Sequence, residues 1–323
     1  MFGLFLLLSA VIVAGLGKGL SSAWNATVPR WEWDPDSEPF IDGGDNGQYL
    51  NLSSGIDLWY TIFGKETSKK TPVLILHGGQ GQSNQMYHQA NALAKTRQVI
   101  LQDTRGQGRS PYTSFTNFHY DDFTRDAIAL LDHLQIPLVA VVGWSDGAIT
   151  GLDLAMNYSS RIERVFAHGA NLQANMSIPG LNDPIINSGS GSLNSDFKTN
   201  GTTYSTHSKR DASGPYSCQT LSPTPQKCKV MEQGVSKMWR TEPTWGPQAM
   251  LKITCPVWIV DGDHDIEVER NQADALAAWI PFAGQLILPQ TGHFALLQDP
   301  KLFNFALEYF LDMEFRGQLP YYR

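Results

Sequence analysis

The chain carries little charge for its size. Of 323 residues, 17% are Asp, Glu, Lys or Arg, against about 25% in ordinary soluble domains. The 24 basic residues are outnumbered by 31 acidic ones, a net charge of −7. No basic stripe stands ready to neutralise a phosphate backbone, so nucleic acid is not an expected partner. Cysteines number three, too few for a disulfide-built miniprotein. No CxxC and no His/Cys cluster suggests zinc, and neither a metal nor a cofactor is expected. There is no internal repeat and no collagen-like period. What is present is a chain that is 42% hydrophobic, enough to bury a sizeable core, which excludes disorder.

The most apolar segment is residues 2–14, inside an uncharged stretch that runs to Gly17. It falls short of the roughly 20 residues of a membrane-spanning helix and suits the apolar region of a secretory signal. Small residues at Gly15 and Gly17, or at Ser21 and Ala23, offer two cleavage points. Residues 1–23 are therefore expected to be a signal and cleavage region, leaving no stable membrane span in the mature protein. An uncleaved N-terminal anchor is the alternative. Five Asn-x-Ser/Thr triplets, at Asn25, Asn51, Asn157, Asn175 and Asn200, support a secreted glycoprotein. Glycans would also help to solvate a charge-poor surface. In an oxidising compartment Cys218 and Cys228 are placed to close a short loop, whereas Cys255, ahead of an apolar run, reads as an inert buried thiol.

Short apolar runs alternate with amphipathic stretches, the mark of an α/β sheet with crossover helices. Strands are expected at 56–63, 73–76, 98–101, 138–142, 164–168, 256–260 and 285–288. Helices are expected at 120–134, after 147 through Tyr158, and at 269–279 and 301–312. Residues 179–225 are Ser/Gly/Asn/Thr-rich and irregular, long for a loop inside a compact domain. They suggest a lid insert spanning about 172–250, with 231–239 as a lid helix, within a single domain of residues 24–323.

Gly143-Trp144-Ser145-Asp146-Gly147 fits G-x-S-x-G between a buried strand and a helix start. That context gives the pattern its meaning. A sharp strand-to-helix turn holds a serine in strained backbone, and glycine on either side relieves the crowding. The helix N-terminus adds free N–H groups and a positive dipole end. Ser145 is thus the candidate nucleophile. In the chain order serine, acid, histidine, His293 in Thr291-Gly292-His293-Phe294 is the candidate base. Within Asp261-Gly262-Asp263-His264-Asp265, Asp265 is the preferred acid that would fix the imidazole tautomer, with Asp263 as runner-up. The oxyanion donors are expected at the backbone N–H of Asp146 and at Gly79 or Gln80, on the loop His77-Gly78-Gly79-Gln80. Asp103-Thr104-Arg105-Gly106-Gln107-Gly108 has the wrong glycine spacing for a phosphate loop. It reads as a turn in which Asp103 and Arg105 hold the loops beneath the site. Trp144, Trp239 and Trp245 are available to line an acyl pocket, core packing being the competing role.

In order, His77-Gly78-Gly79, Asp103-x-Arg105-Gly106-x-Gly108-x-Ser110, the serine motif, Gly262-x-x-Asp265 and Gly292-His293 resemble the landmarks of the α/β-hydrolase superfamily over residues 48–312. The resemblance implies a mostly parallel sheet with helices on both faces and a lid insert. A closer likeness, through residues 143–147, Ile149-Thr150 and Gly169-Ala170-Asn171, is to the valacyclovirase (biphenyl hydrolase-like) group. Those enzymes cleave esters of α-amino acids. The likeness implies that Asp146 recognises a substrate ammonium; Trp144, beside Ser145, is a further candidate substrate contact from its position in the motif. The expected activity is that of a secreted serine hydrolase acting on a small-molecule acyl substrate. The alternatives weighed beside it are a proline iminopeptidase type of aminopeptidase, a biosynthetic enzyme reusing the triad, and a catalytically dead scaffold.

Overall fold

The described residues of this computed structural model are 46–64, 68–113, 117–174, 197–199, 202–204 and 217–315. The expected signal region and Asn25, Asn175 and Asn200 lie outside them. In chain order the elements are β1 (Gln48–Asn51), β2 (Asp57–Gly64), β3 (Val73–Leu76), α1 (Tyr87–Ala94), β4 (Gln98–Gln102), α2 (Tyr120–His133), β5 (Val139–Trp144), α3 (Asp146–Asn157), β6 (Ile162–His168), β7 (Phe197–Thr199), β8 (Thr202–Tyr204), α4 (Cys228–Trp239), β9 (Val257–Gly262), α5 (Arg270–Trp279), β10 (Ala283–Leu288) and α6 (Pro300–Asp312). Short helical turns, among them Cys218–Leu221, Pro247–Met250 and Ala295–Gln298, fill several connections.

Eight strands make one sheet in the order β1-β2-β4-β3-β5-β6-β9-β10. β2 pairs antiparallel with β1 and β4, and every later pairing is parallel. This is the α/β-hydrolase fold. β3 and β5 are buried along their whole length because helices cover both faces, which is why they read as unbroken apolar runs. Alternation along each strand divides the core in two. Leu74, Leu76, Val141, Ala167 and Ile259 pack on one face with residues of α2, α3, α4 and α5. Val73, Ile75, Val142, Trp144, Phe166 and Val260 pack on the other with residues of α1 and α6.

The carboxyl ends of β3, β5, β9 and β10 release their loops at one edge of the sheet, where ligand crevices of open α/β sheets form. Beneath that edge the Arg105 guanidinium grips Asp126 at 2.6 and 2.5 Å. Asp103 accepts from the backbone N–H groups of Ser83 and Arg109 at 2.7 and 2.8 Å.

Three elements depart from the sequence expectation. β1 and α1 carry no strong apolar pattern and were not expected. The stretch 179–225 is not wholly irregular: β7 and β8 form an antiparallel pair, and Cys218–Leu221 is helical. A disulfide joins Cys218 to Cys228, ten residues on, at the start of α4. A loop of that length stabilises the fold by about 2–3 kcal/mol in the chain-entropy account. Cys255 is buried, and burial pushes its thiol pKa up to about 11. Asn51 and Asn157 are both exposed, at the ends of β1 and α3. Among the described residues no helix is long and apolar enough to cross a membrane.

Candidate active site

Ser145 sits between the end of β5 and the start of α3 with φ 55° and ψ −120°. A non-glycine residue tolerates that backbone only where its surroundings over-determine it. Here the Ser145 N–H donates to the His168 carbonyl at 2.8 Å, and its own carbonyl accepts from Ala148 and Ile149 in the first turn of α3. The turn also brings two backbones together. A β-carbon at Gly147 would lie 2.1 Å from the Leu76 carbonyl oxygen, and one at Gly143 would lie 2.3 Å from the Gly147 carbonyl oxygen. Only glycine fits at either position.

Asp265 and His293 arrive on the loops after β9 and β10. His293 Nδ1 donates to Asp265 Oδ2 at 2.8 Å, and both side chains are almost fully buried. The other Asp265 oxygen accepts from the N–H groups of Glu267 and Val268 at 2.9 and 3.0 Å. Burial opposes ionisation of Asp265, but the His293 charge and these hydrogen bonds hold its pKa below the ordinary carboxylate value. Burial alone would lower the His293 pKa, whereas the Asp265 carboxylate overrides it and lifts it to about 9. With Nδ1 committed to Asp265, Nε2 is the ring nitrogen left for chemistry. Asp263 is placed differently. It pairs with His264 at 2.7 Å and accepts from the Thr291 N–H at 3.1 Å, bracing the His293 loop.

No hydrogen bond joins Ser145 to His293; the two are linked through their supports. The His293 carbonyl accepts from Trp144 Nε1 at 2.8 Å and faces His168 Nε2 at 3.1 Å. His168 in turn holds the Ser145 N–H. Catalytic hydrogen bonds of this kind tighten in the substrate complex.

Trp144 does not line a pocket. It is 1% exposed and points, by strand alternation, into the core layer of α1 and α6, against Phe294 at 5.1 Å between ring centroids. Its contribution is to hold the His293 loop. Asp146, on the neighbouring turn, is 5% exposed. Its carboxylate accepts from Tyr120 Oη at 2.8 Å and from Trp239 Nε1 at 2.8 and 3.0 Å. Burial and the Asp146 charge raise the Tyr120 pKa well above its ordinary value, keeping that phenol a donor. The loop after β3 lies directly against this cluster. A β-carbon at Gly79 would lie 2.2 Å from Asp146 Oδ2 and 2.6 Å from Trp239 Cζ2. Gln80 adopts φ 56°. Trp239 remains 38% exposed at the rim. Trp245 is half-buried and, with Tyr120, His119, Arg125 and Glu242, lines a cavity of about 410 Å³.

Tyr120, His168 and Asp261 were not singled out for the site from sequence. Both His168 ring nitrogens face backbone carbonyls, of Val260 and His293, yet burial and then the His293 charge lower its pKa to about 4. Asp261, at the end of β9, has both oxygens buried without a well-formed hydrogen bond. Burial first, then the Asp265 charge, raises its pKa well above the ordinary value. A carboxyl shifted upward costs stability increasingly as pH rises above its unfolded pKa. Asp261→Asn is therefore expected to raise the melting temperature by several degrees at pH 8 and to change it little at pH 4. Calorimetry at both pH values checks this, and a gain of equal size at both would contradict it.

A family model described as "alpha/beta hydrolase fold" matches residues 71–197. Mouse (Mus musculus) "Serine hydrolase BPHL" is 27% identical over 284 residues, 86% of this chain and 91% of the relative. "3-oxoadipate enol-lactonase 2" of Acinetobacter baylyi is 37% identical over 111 residues, 34% of this chain and 40% of the relative. Among solved structures, the enol-lactonase from Burkholderia xenovorans LB400 superposes with a TM-score of 0.60 at 21% identity, covering 82% of this chain and 100% of that one. The chain has the α/β-hydrolase fold and resembles members of that superfamily. Among these proteins it is similar over most of its length to the serine hydrolase BPHL.

Proposed function

We propose that the chain is a serine hydrolase that cleaves small-molecule esters through an acyl-enzyme on Ser145. The carrying observation is the buried His293–Asp265 hydrogen bond of 2.8 Å, set at the same sheet edge as the strained turn that presents Ser145. His293 Nε2 takes the hydroxyl proton as Oγ bonds to the acyl carbon, and the carbonyl oxygen becomes an oxyanion facing the N–H groups of Asp146 and the Gly79–Gln80 loop. As the tetrahedral adduct collapses, the bond to the alkoxy group breaks and the imidazolium returns the proton to that leaving oxygen. Water then repeats the cycle, releasing a carboxylic acid and restoring Ser145.

Asp146 bears on the substrate class. Its carboxylate accepts from Tyr120 and Trp239, two neutral donors that orient it without cancelling its charge, so neutral and α-aminoacyl esters are both candidate substrates. Ester cleavage also agrees with the similarity to an enol-lactonase, a lactone being a cyclic ester. The test is a panel of neutral and α-aminoacyl p-nitrophenyl esters, with Ser145→Ala as the control. Retention of turnover in that variant would sink the reading.

The reading includes export. It is supported by the uncharged apolar segment at 2–14, five Asn-x-Ser/Thr triplets and the Cys218–Cys228 disulfide. Protein collected from the medium of a eukaryotic expression host is expected to gain electrophoretic mobility on treatment with an N-glycosidase. An unchanged band, or retention of all the protein inside the cell, would count against export.

A further inference from the structure

Helix α4 lies outside the sheet, yet it grips both sides of the site. Its positions Cys228, Met231, Val235 and Met238 are buried, and the last three of these pack on the core face shared with α2 and α3. One step around the helix, Glu232, Ser236 and Trp239 follow at i, i+4 and i+7 and so share a second stripe. That stripe meets the two segments from which the oxyanion donors come. Gln80 Nε2 donates to the Glu232 carbonyl at 3.1 Å and to Ser236 Oγ at 3.0 Å. One turn further on, Trp239 Nε1 donates to the Asp146 carboxylate at 2.8 Å.

We propose that α4 is a positioning element of the active site: by holding the side chains of Gln80 and Asp146 on one helical stripe, it sets the separation and aim of the backbone N–H groups that receive the oxyanion. The proposal rests on the reading of Ser145 as nucleophile. Gln80 and Asp146 lie on different loops, after β3 and after β5, so the sheet fixes where each loop begins but not how the loop tips face each other. Gln80 holds a left-handed backbone, φ 56°, which costs energy for a non-glycine residue and is here supported by its side-chain anchorage. The Asp146 carboxylate is buried, and losing one of its donors leaves a charge under-solvated. Trp239 and the Gln80 side chain are thus positioning residues that touch no reacting atom. The disulfide at Cys228 closes the other end of the same helix.

The experiment compares the full-length wild type, Ser145→Ala, Trp239→Phe and Gln80→Asn on p-nitrophenyl acetate and on its thiono counterpart, in which sulfur replaces the carbonyl oxygen. Phenylalanine keeps most of the ring and removes the Nε1–H. Asparagine tolerates the left-handed backbone but is one methylene too short to reach α4. An oxyanion hole spaced for oxygen at 2.7–3.1 Å favours the oxoester, so the oxo-to-thiono rate ratio reports the hole and does not depend on the fraction of protein folded. Displacing donors rather than deleting them is expected to lower kcat on the oxoester by about ten- to a hundredfold, with KM nearly unchanged and the ratio reduced in both variants. If kcat and the ratio stay at wild-type values in both, or if oxo and thiono rates fall in parallel, the positioning role is wrong while the hydrolase reading stands. If the wild type shows no Ser145-dependent turnover, the hydrolase reading fails and the positioning role fails with it.

Discussion

Ser145→Ala is expected to lower kcat on p-nitrophenyl esters by on the order of 10⁵–10⁶-fold, the scale on which removing the serine disables a triad acting as a unit. The variant is also expected to lose covalent labelling by a fluorophosphonate. The fold should be unaffected. The serine side chain is not hydrogen-bonded within the core, and the turn is held by backbone groups: the Ser145 N–H on the His168 carbonyl, and the Ser145 carbonyl under the first turn of α3. Alanine keeps the same β-carbon and therefore bears the same φ of 55°. A thermal melt within a degree or two of wild type is the accompanying expectation. The residual rate should still exceed that in water, because the oxyanion donors and the binding surface remain. A variant that stays folded, fails to label and yet turns over at the wild-type rate would mean that the nucleophile lies elsewhere. A histidine-assisted water acting without Ser145 would be the simplest substitute.

What the sequence discloses follows from how local each cause is. β3 and β5 are legible because a strand buried on both faces must be apolar throughout, so residues 73–76 and 138–142 announce themselves. The Ser145 turn is legible because Gly143 and Gly147 are demanded by contacts that leave no room for a β-carbon. Asp265 and His293 are legible through chain order and through their loops after strands. β1 is harder: Gln48–Asn51 is an edge strand that pairs only with β2 and is mostly exposed, so no apolar alternation marks it. α1, Tyr87–Ala94, is short and weakly patterned, and a 3₁₀ turn capped by Gln82 leads into it.

The site's supports are harder still, because distant segments supply them. Tyr120 begins α2 and Trp239 ends α4, yet both donate to Asp146. Nothing local to either residue signals that meeting. Trp144 shows the opposite difficulty. Its place beside Ser145 suggests a substrate contact, but strand alternation carries its indole to the far core layer, where it holds the backbone carbonyl of His293. Asp146 follows the same lesson. Adjacency to the nucleophile and a negative charge suggest an ammonium site, and the fold adds two neutral donors from distant segments that orient the carboxylate. In both cases the residue type was readable and its partner was not, since the partner is set by packing between elements far apart in the chain.

Asp265→Asn is expected to lower kcat by about 10⁴-fold at neutral pH and to change the shape of the pH profile. In the wild type the Asp265 carboxylate accepts from His293 Nδ1–H and raises the imidazole pKa to about 9. A base works only when unprotonated, so kcat/KM should climb as pH rises above 7 and level off on the alkaline side of an ordinary histidine. The asparagine amide can present an N–H to Nδ1 and turn that nitrogen into an acceptor. The ring then carries its proton on Nε2, where it cannot take one from Ser145. The same substitution removes the charge that held the imidazolium, leaving burial to lower the His293 pKa. The residual activity should therefore level off at lower pH than in the wild type. Folded-state stability carries the same signature with its own sign. The raised His293 pKa contributes stabilisation that is fully present below about pH 6.5 and is lost as pH rises through the folded value near 9. The variant should thus be less stable than wild type at pH 6, with the gap narrowing toward pH 9 and above. Rate profiles and melts across that range test both halves. An activity limb left in its wild-type position would show that Asp265 does not set the protonation of His293, and Asp263, 2.7 Å from His264, would become the next acid to replace.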